Sequence, residues 1–174
     1  VTPRPTASAT VAVTDTTQIS ATAATSVTAT LPVTGTAAIT ATDTITDPVP
    51  MRLRIPAIDV DAAIEAVGQD RAGRMETPSL VDDVAWYAPG VAPGEIGNAV
   101  LAGHLDRIGG APAVFWKLGK LAVGDDIFVT DSAGEELHFR VTGVESYPYD
   151  AAPLDDIFGF AIRSRLNLIT CRGQ

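Results

Sequence analysis

Reactive side chains are few in this sequence: one cysteine and two histidines among 174 residues. A single cysteine excludes an intrachain disulfide and a multi-cysteine metal centre, and two histidines beside it make a thin zinc ligand set. No metal and no cofactor is expected. Cations are also scarce, with 12 Lys and Arg against 21 Asp and Glu and a net charge of −9. Such a surface repels phosphate, so nucleic acid is not an expected partner. No apolar run approaches the roughly 20 residues that cross a bilayer as a helix. The sequence begins at Val1, so membrane attachment is expected only through an anchor outside it.

Residues 1–48 contain no aromatic residue, no lysine and one arginine, and are dominated by Thr, Ala, Val and Ser. With nothing large to bury, this stretch cannot offset the entropy of ordering a chain, and it reads as a disordered low-complexity tether. Thr-rich stretches with proline also occur in extracellular stalks. Residues 49–174 carry the aromatics and nearly all the charges, and suffice for one compact domain.

That domain reads as short strands. Met51, Leu53 and Ile55 alternate with Arg52 and Arg54, and the phase changes at Pro56, as in an edge or bulged strand. A second strand is expected over 62–67 and a loop over 68–78. An apolar run, 99–102, ends at Gly103-His104. Residues 114–118 suggest one helical turn. Strands are expected at 126–130, 136–144 and 165–171, with a short helix near 154–158 inside a long connection. Many short strands with few helices point to an all-β barrel or sandwich.

Two strand ends carry chemistry: Leu101-Ala102-Gly103-His104-Leu105-Asp106 and Leu166-Asn167-Leu168-Ile169-Thr170-Cys171. Each ends an apolar run with a side chain suited to acid/base or nucleophilic work, and a Cys/His pair is brought together by the fold, not by sequence proximity. Asp106 either orients His104 or caps the following segment. His138 falls on the polar side of its alternating strand and is expected at the surface. Trp86 and Trp116 are expected in the core. Asp82-Asp83 and Asp125-Asp126 read as solvated turns.

Ile-Pro-Ala-Ile at 55–58, Gly-Asn-Ala-Val-Leu-Ala-Gly-His at 97–104, Gly-Asp-Asp-Ile at 124–127 and Ile-Thr-Cys at 169–171 occur in the order found in the sortase family. The stretch from Gly103 through Leu118, with Leu168 to Cys171, most resembles the actinobacterial class F group. The resemblance implies an eight-stranded barrel and a cysteine transpeptidase at the extracytoplasmic face of a bacterial membrane. It implies Cys171 as nucleophile and His104 as proton-transfer partner, with a substrate pocket involving Ala102, Thr170, Pro148 and Leu154. Substrates would be surface proteins or pilins bearing a Leu-Pro-any-Thr-Gly signal, and acceptors an amine of a peptidoglycan precursor or a pilin lysine. The alternatives are hydrolysis at the same site and a non-catalytic surface module.

Family members also place an arginine on a strand after the cysteine, and this sequence ends Cys171-Arg172-Gly173-Gln174. Arg172 follows Cys171 directly and so faces the other side of an extended strand. The expectation is therefore a barrel lacking its last strand, with an open edge and little activity. The tether itself contains Leu31-Pro32-Val33-Thr34-Gly35, which matches the family's substrate pattern. It is either a chance match in a Thr/Val-rich stretch or a self-recognition segment.

Overall fold

The computed structural model describes residues 8–16, 49–148 and 151–171, the first of these as backbone. Its strands are β1 (Ser8–Thr16), β2 (Pro50–Ile55), β3 (Val60–Val67), β4 (Val84–Tyr87), β5 (Gly97–Gly103), β6 (Asp126–Asp131), β7 (Glu136–Pro148) and β8 (Ser164–Cys171), with one short helix, α1 (Leu154–Phe158). They form a closed barrel in the order β1-β7-β6-β2-β3-β4-β5-β8. Most neighbours are antiparallel. The exceptions are β3 with β4 and β5 with β8, which run parallel.

Seven strands, all from residues 49–171, make the barrel body. The open edge expected of the barrel is not found among the described residues: β1 pairs antiparallel with both β7 and β8. The expectation of a tether over the whole of 1–48 is thus corrected for 8–16. Ser8–Thr16 lacks large side chains, but Thr and Val suit a strand, and pairing on both edges satisfies its backbone groups without any large side chain. Residues 1–7 and 17–48 lie outside the described residues, and with them Leu31-Pro32-Val33-Thr34-Gly35.

The core follows from alternation along the strands. Leu53, Ile55, Leu101, Phe115, Ile127, Val129, Phe139, Leu166 and Leu168 are fully buried in one cluster. β5 and β8 are buried on both faces, with Val100 and Ile157 forming a second, smaller cluster outside the barrel wall. That second cluster exists because α1 packs over the outside of β5, so both strands read as continuous apolar runs.

Local differences from expectation have local causes. At Pro56 the chain does not continue as a bulged strand. It makes a 3-10 turn over Pro56–Ile58 that ends on Asp59 in the left-handed region, φ 59°, and this reverses the chain into the β2–β3 pair. Asp tolerates that conformation better than most residues. Lys117 donates to the Asp59 carboxylate at 2.7 Å. Residues 114–117 are turns, followed by a 3-10 turn at Leu118–Lys120. Trp86 is buried as expected, but Trp116 is 45% exposed. The intervening Phe115 takes the core position, which directs its neighbour outward. Strand β4 was not legible as a separate element.

Candidate active site

The parallel pair β5–β8 sets the site. Its register runs from Gly97↔Ser164 to Ala102↔Ile169. Along β5, Ala99 and Leu101 face the core; along β8, Leu166 and Leu168 do so. Alternation therefore turns Ala102, Ile169 and Cys171 to the outer face, and one further step places His104 on that face too. The two reactive residues leave the ends of neighbouring strands on the same side of the wall.

One hydrogen bond fastens those ends. Thr170, buried, donates its hydroxyl to the Gly103 carbonyl at 2.7 Å. The residue before the thiol thus holds the residue before the imidazole. Gly103 has no room for a side chain, because a Cβ there would lie 2.6 Å from the Phe115 ring and 2.8 Å from Val114. The close approach lets Phe115 fill the barrel end, and the Phe115 amide donates to the His104 carbonyl at 2.9 Å.

His104 and Cys171 line one cleft of about 140 Å³, together with Ala102, Thr170 and the segment Met75–Pro78. That segment belongs to the loop read from sequence over 68–78. It is held in shape locally: Asp70 accepts from the amides of Ala72 and Arg74, and Glu76 from the amide of Gly68. Glu65 on β3 accepts from both the amide and hydroxyl of Ser79 at 2.8 Å. These hydrogen bonds keep the Asp70 and Glu65 carboxyls below the usual carboxylate range.

Two larger grooves meet at Cys171. The first, about 660 Å³, is lined by Met75, Tyr87, Leu154, Ile157, Phe158 and Ile169 among others. Its outer wall is α1, and two buried asparagines hold that helix against the barrel. Asn167 on β8 donates to the Ile157 carbonyl at 2.7 Å, and Asn98 on β5 donates to the carbonyls of Asp156 and Gly159 at 3.1 and 2.8 Å. Tyr87 and Phe158 meet edge to face, with ring centroids 5.6 Å apart. The second groove, about 760 Å³, is polar and is bordered by Glu65, Asp70, Arg74, Glu76 and Ser79. Arg74, paired with Asp70 at 2.8 Å, borders both.

Cys171 is exposed and unpaired with any other cysteine. Desolvation by the surrounding wall nevertheless pushes its thiol pKa up. Open access on one side and a low-dielectric wall on the other are compatible, since burial disfavours the thiolate.

Ala102 and Thr170, expected in the substrate pocket, line the His104–Cys171 cleft. Leu154 lines the apolar groove. Pro148 ends β7 in register with Ser8 and lines neither cavity. Asp106 makes an isolated bridge with Pro112, and among the described residues no hydrogen bond joins it to His104. Arg172 lies outside the described residues. His138 is not the surface residue expected: its side chain is 15% exposed, its Nε2 lies 2.8 Å from Asp126 Oδ1, and its ring stacks on Phe128 at 4.8 Å. Glu136, Arg140 and Thr142 on the same face are exposed, and only His138 is sheltered, by Phe128 and Asp126 of β6, which the alternation alone does not reveal. Contacts from His138 and Arg140 draw the Asp126 carboxyl below its ordinary range. Sequence reasoning missed the groove residues Arg74, Met75, Tyr87 and Phe158, and the clamp of Asn98 and Asn167.

A sortase-domain family model matches residues 53–174, more than two thirds of the chain. Solved structures similar to it include a lid mutant of sortase A from Corynebacterium diphtheriae, with TM-score 0.54 and 23% identity, covering 72% of this chain and 62% of that one. Sortase C-1 from Actinomyces oris gives TM-score 0.56 and 23% identity, covering 71% and 62%. Sortase C1 of GBS Pilus Island 1 gives 0.52 and 24%, covering 71% and 57%. This chain therefore spans between 57% and 62% of the length of those three. At these identities the likeness is one of fold. No curated protein matches it. The family match over the barrel, and a fold shared with known sortases, show that the chain belongs to the sortase family.

Proposed function

We propose that the chain is the catalytic barrel of a cell-surface cysteine transpeptidase, of the class F type, acting on proteins that carry a Leu-Pro-any-Thr-Gly signal. The Cys171 sulfur, as thiolate, attacks the Thr carbonyl carbon. The Thr–Gly bond breaks, and His104 gives a proton to the departing amine. An incoming amine then attacks the thioester, His104 takes its proton, and the Cys171 sulfur leaves. The acceptor is the amine of a peptidoglycan precursor or a pilin lysine. The apolar groove under α1 suits the Leu and Pro of the signal, since it offers a long apolar wall that ends at the sulfur. Leu31-Pro32-Val33-Thr34-Gly35 is, on this reading, a segment the enzyme could also cut in its own kind.

The observation that carries the proposal is the shared cleft: His104 and Cys171 border one cavity at the ends of paired parallel strands. The test uses a Leu-Pro-any-Thr-Gly peptide with an added amine, followed by mass spectrometry. Cleavage between Thr and Gly, with the amine on the new end, is expected, and it should vanish in Cys171→Ala and His104→Ala. Cleavage that survives both substitutions would sink the mechanism.

A second reading is favoured by one observation. The raised thiol pKa keeps thiolate scarce near neutral pH, which suits a slow hydrolase or a non-catalytic surface module. Water in place of the amine on the product identifies the hydrolase, and an intact peptide identifies the module.

A further inference from the structure

His104 follows the end of β5 and opens a narrow loop that returns at Phe115. The loop closes on itself through its backbone. The Phe115 amide donates to the His104 carbonyl at 2.9 Å, Ala113 to Leu105 at 3.1 Å, and Arg107 to Ala111 at 2.8 Å. The Arg107 side chain folds back across the same loop, and its Nε donates to the Pro112 carbonyl at 3.1 Å. The imidazole thus stands on a loop whose shape is held by backbone bonds and by one guanidinium.

That guanidinium also reaches out of the loop. Arg107 Nη2 lies 2.6 Å from both carboxylate oxygens of Asp82. Asp82 belongs to the segment that leads from Met75–Pro78, which lines the His104–Cys171 cleft, into β4. Glu65 holds that segment at Ser79, and Arg107 holds it three residues further on. A backbone bond from the Val114 amide to the Val81 carbonyl runs beside the ion pair. At 3.3 Å it is longer than the usual range, so the side-chain contact is the tighter link.

Placement and stability separate here. The Asp82 side chain is 66% exposed and that of Arg107 is 41% exposed. An exposed ion pair adds little to folding. A charged donor this close to a carboxylate is nevertheless short and directional, and a planar guanidinium can serve Pro112 and Asp82 together where a lysine could not. The pair therefore acts on where the two loops sit, not on whether the barrel forms.

We propose that Arg107 and Asp82 are positioning residues, which bridge the His104 loop to the Met75–Pro78 wall and so set the width of the cleft where imidazole meets thiol. Neither side chain lines that cleft. The bridge itself needs no activity, and its consequence for turnover rests on the transpeptidase reading above.

The test compares Arg107→Gln, Asp82→Asn and the double variant with the unaltered chain. Hydrogen exchange needs no substrate. It is expected to quicken over 75–83 and 104–114 in each variant, while the melting temperature falls by less than about 4 °C. With a Leu-Pro-any-Thr-Gly peptide and an added amine, kcat is expected to fall about tenfold. KM should change less than about twofold, because the Leu and Pro occupy the groove under α1 and not this loop. The double variant should be no slower than either single one, since both remove the same link. Unchanged exchange in the two loops overturns the bridge. A full rate from variants whose loops have loosened, a loss of rate that only follows a loss of folded protein, or a double variant slowed by the product of the two single losses overturns the positioning role. If exchange quickens while even the unaltered chain leaves the peptide intact, the bridge stands and the transpeptidase reading falls.

Discussion

The Thr170 hydroxyl donates to the Gly103 carbonyl at 2.7 Å, joining the residues that immediately precede Cys171 and His104. The bond lies inside the barrel, while the two reactive groups lie outside it. The spacing of thiol and imidazole is thus set by a contact that neither makes.

Thr170→Val keeps the shape and removes the donor. Leaving a buried carbonyl without it is expected to lower stability by about 1–2 kcal/mol. Activity should fall further than the lost folded fraction explains, because the strand ends lose their tie. Gly103→Ala should cost about 1–3 kcal/mol, since the new Cβ meets Phe115 and Val114. Chemical denaturation of both variants, alongside peptide cleavage, checks this.

The asparagine clamp predicts a separable effect. Asn167→Ala leaves the Ile157 carbonyl without its 2.7 Å donor and should cost about 1–3 kcal/mol. Hydrogen exchange should rise chiefly over 154–159, where α1 rests on Asn98 and Asn167. A uniform rise across the barrel would show that the clamp does not act on α1.

Phe158 is 37% exposed at the apolar groove, in edge contact with Tyr87. Phe158→Ser removes apolar wall from the proposed peptide track and leaves the barrel core intact. Peptide affinity is expected to drop about tenfold, roughly 1.4 kcal/mol, with little change in melting temperature. The reading for the groove fails if affinity is unchanged.

The desolvated thiol predicts a pH profile. Alkylation of Cys171 by iodoacetamide should rise about tenfold per pH unit, with its midpoint above the ordinary thiol value of about 8.5. The sign for stability follows. The folded chain holds this proton more tightly than the unfolded one, so the contribution is full below the ordinary value and is lost as pH rises through the raised one. A midpoint below the ordinary value would reveal a cation beside the sulfur that outweighs desolvation.

Much of the barrel was legible because its strands alternate or form apolar runs with clear ends. The short helix Leu154–Phe158 and the strand ending at Cys171 fell where the sequence places them. Two kinds of feature were hidden. Ser8–Thr16 carries no aromatic, Leu or Ile side chain, so composition argued against a packed core and was silent on strand pairing. Asn98 and Asn167 look like interruptions in apolar strands, and their purpose shows only once α1 is seen crossing above them. His138 was misjudged for a related reason: alternation tells which face a side chain takes, not what covers that face. The groove residues Tyr87 and Phe158 are 71 positions apart in sequence, and no local pattern links them.

The parallel pairing of β5 and β8 also governs when the site can exist. Gly103 and Thr170 are separated by 67 positions, and a parallel ladder needs a crossover between its strands before it can close. A nascent chain would expose His104 and the apolar run of β5 long before the partner strand arrives. Long-range pairings of this kind form slowly and leave edges open meanwhile. Assembly of the cleft is thereby tied to completion of the wall, which delays the meeting of Cys171 with His104 until there is a folded protein to carry them.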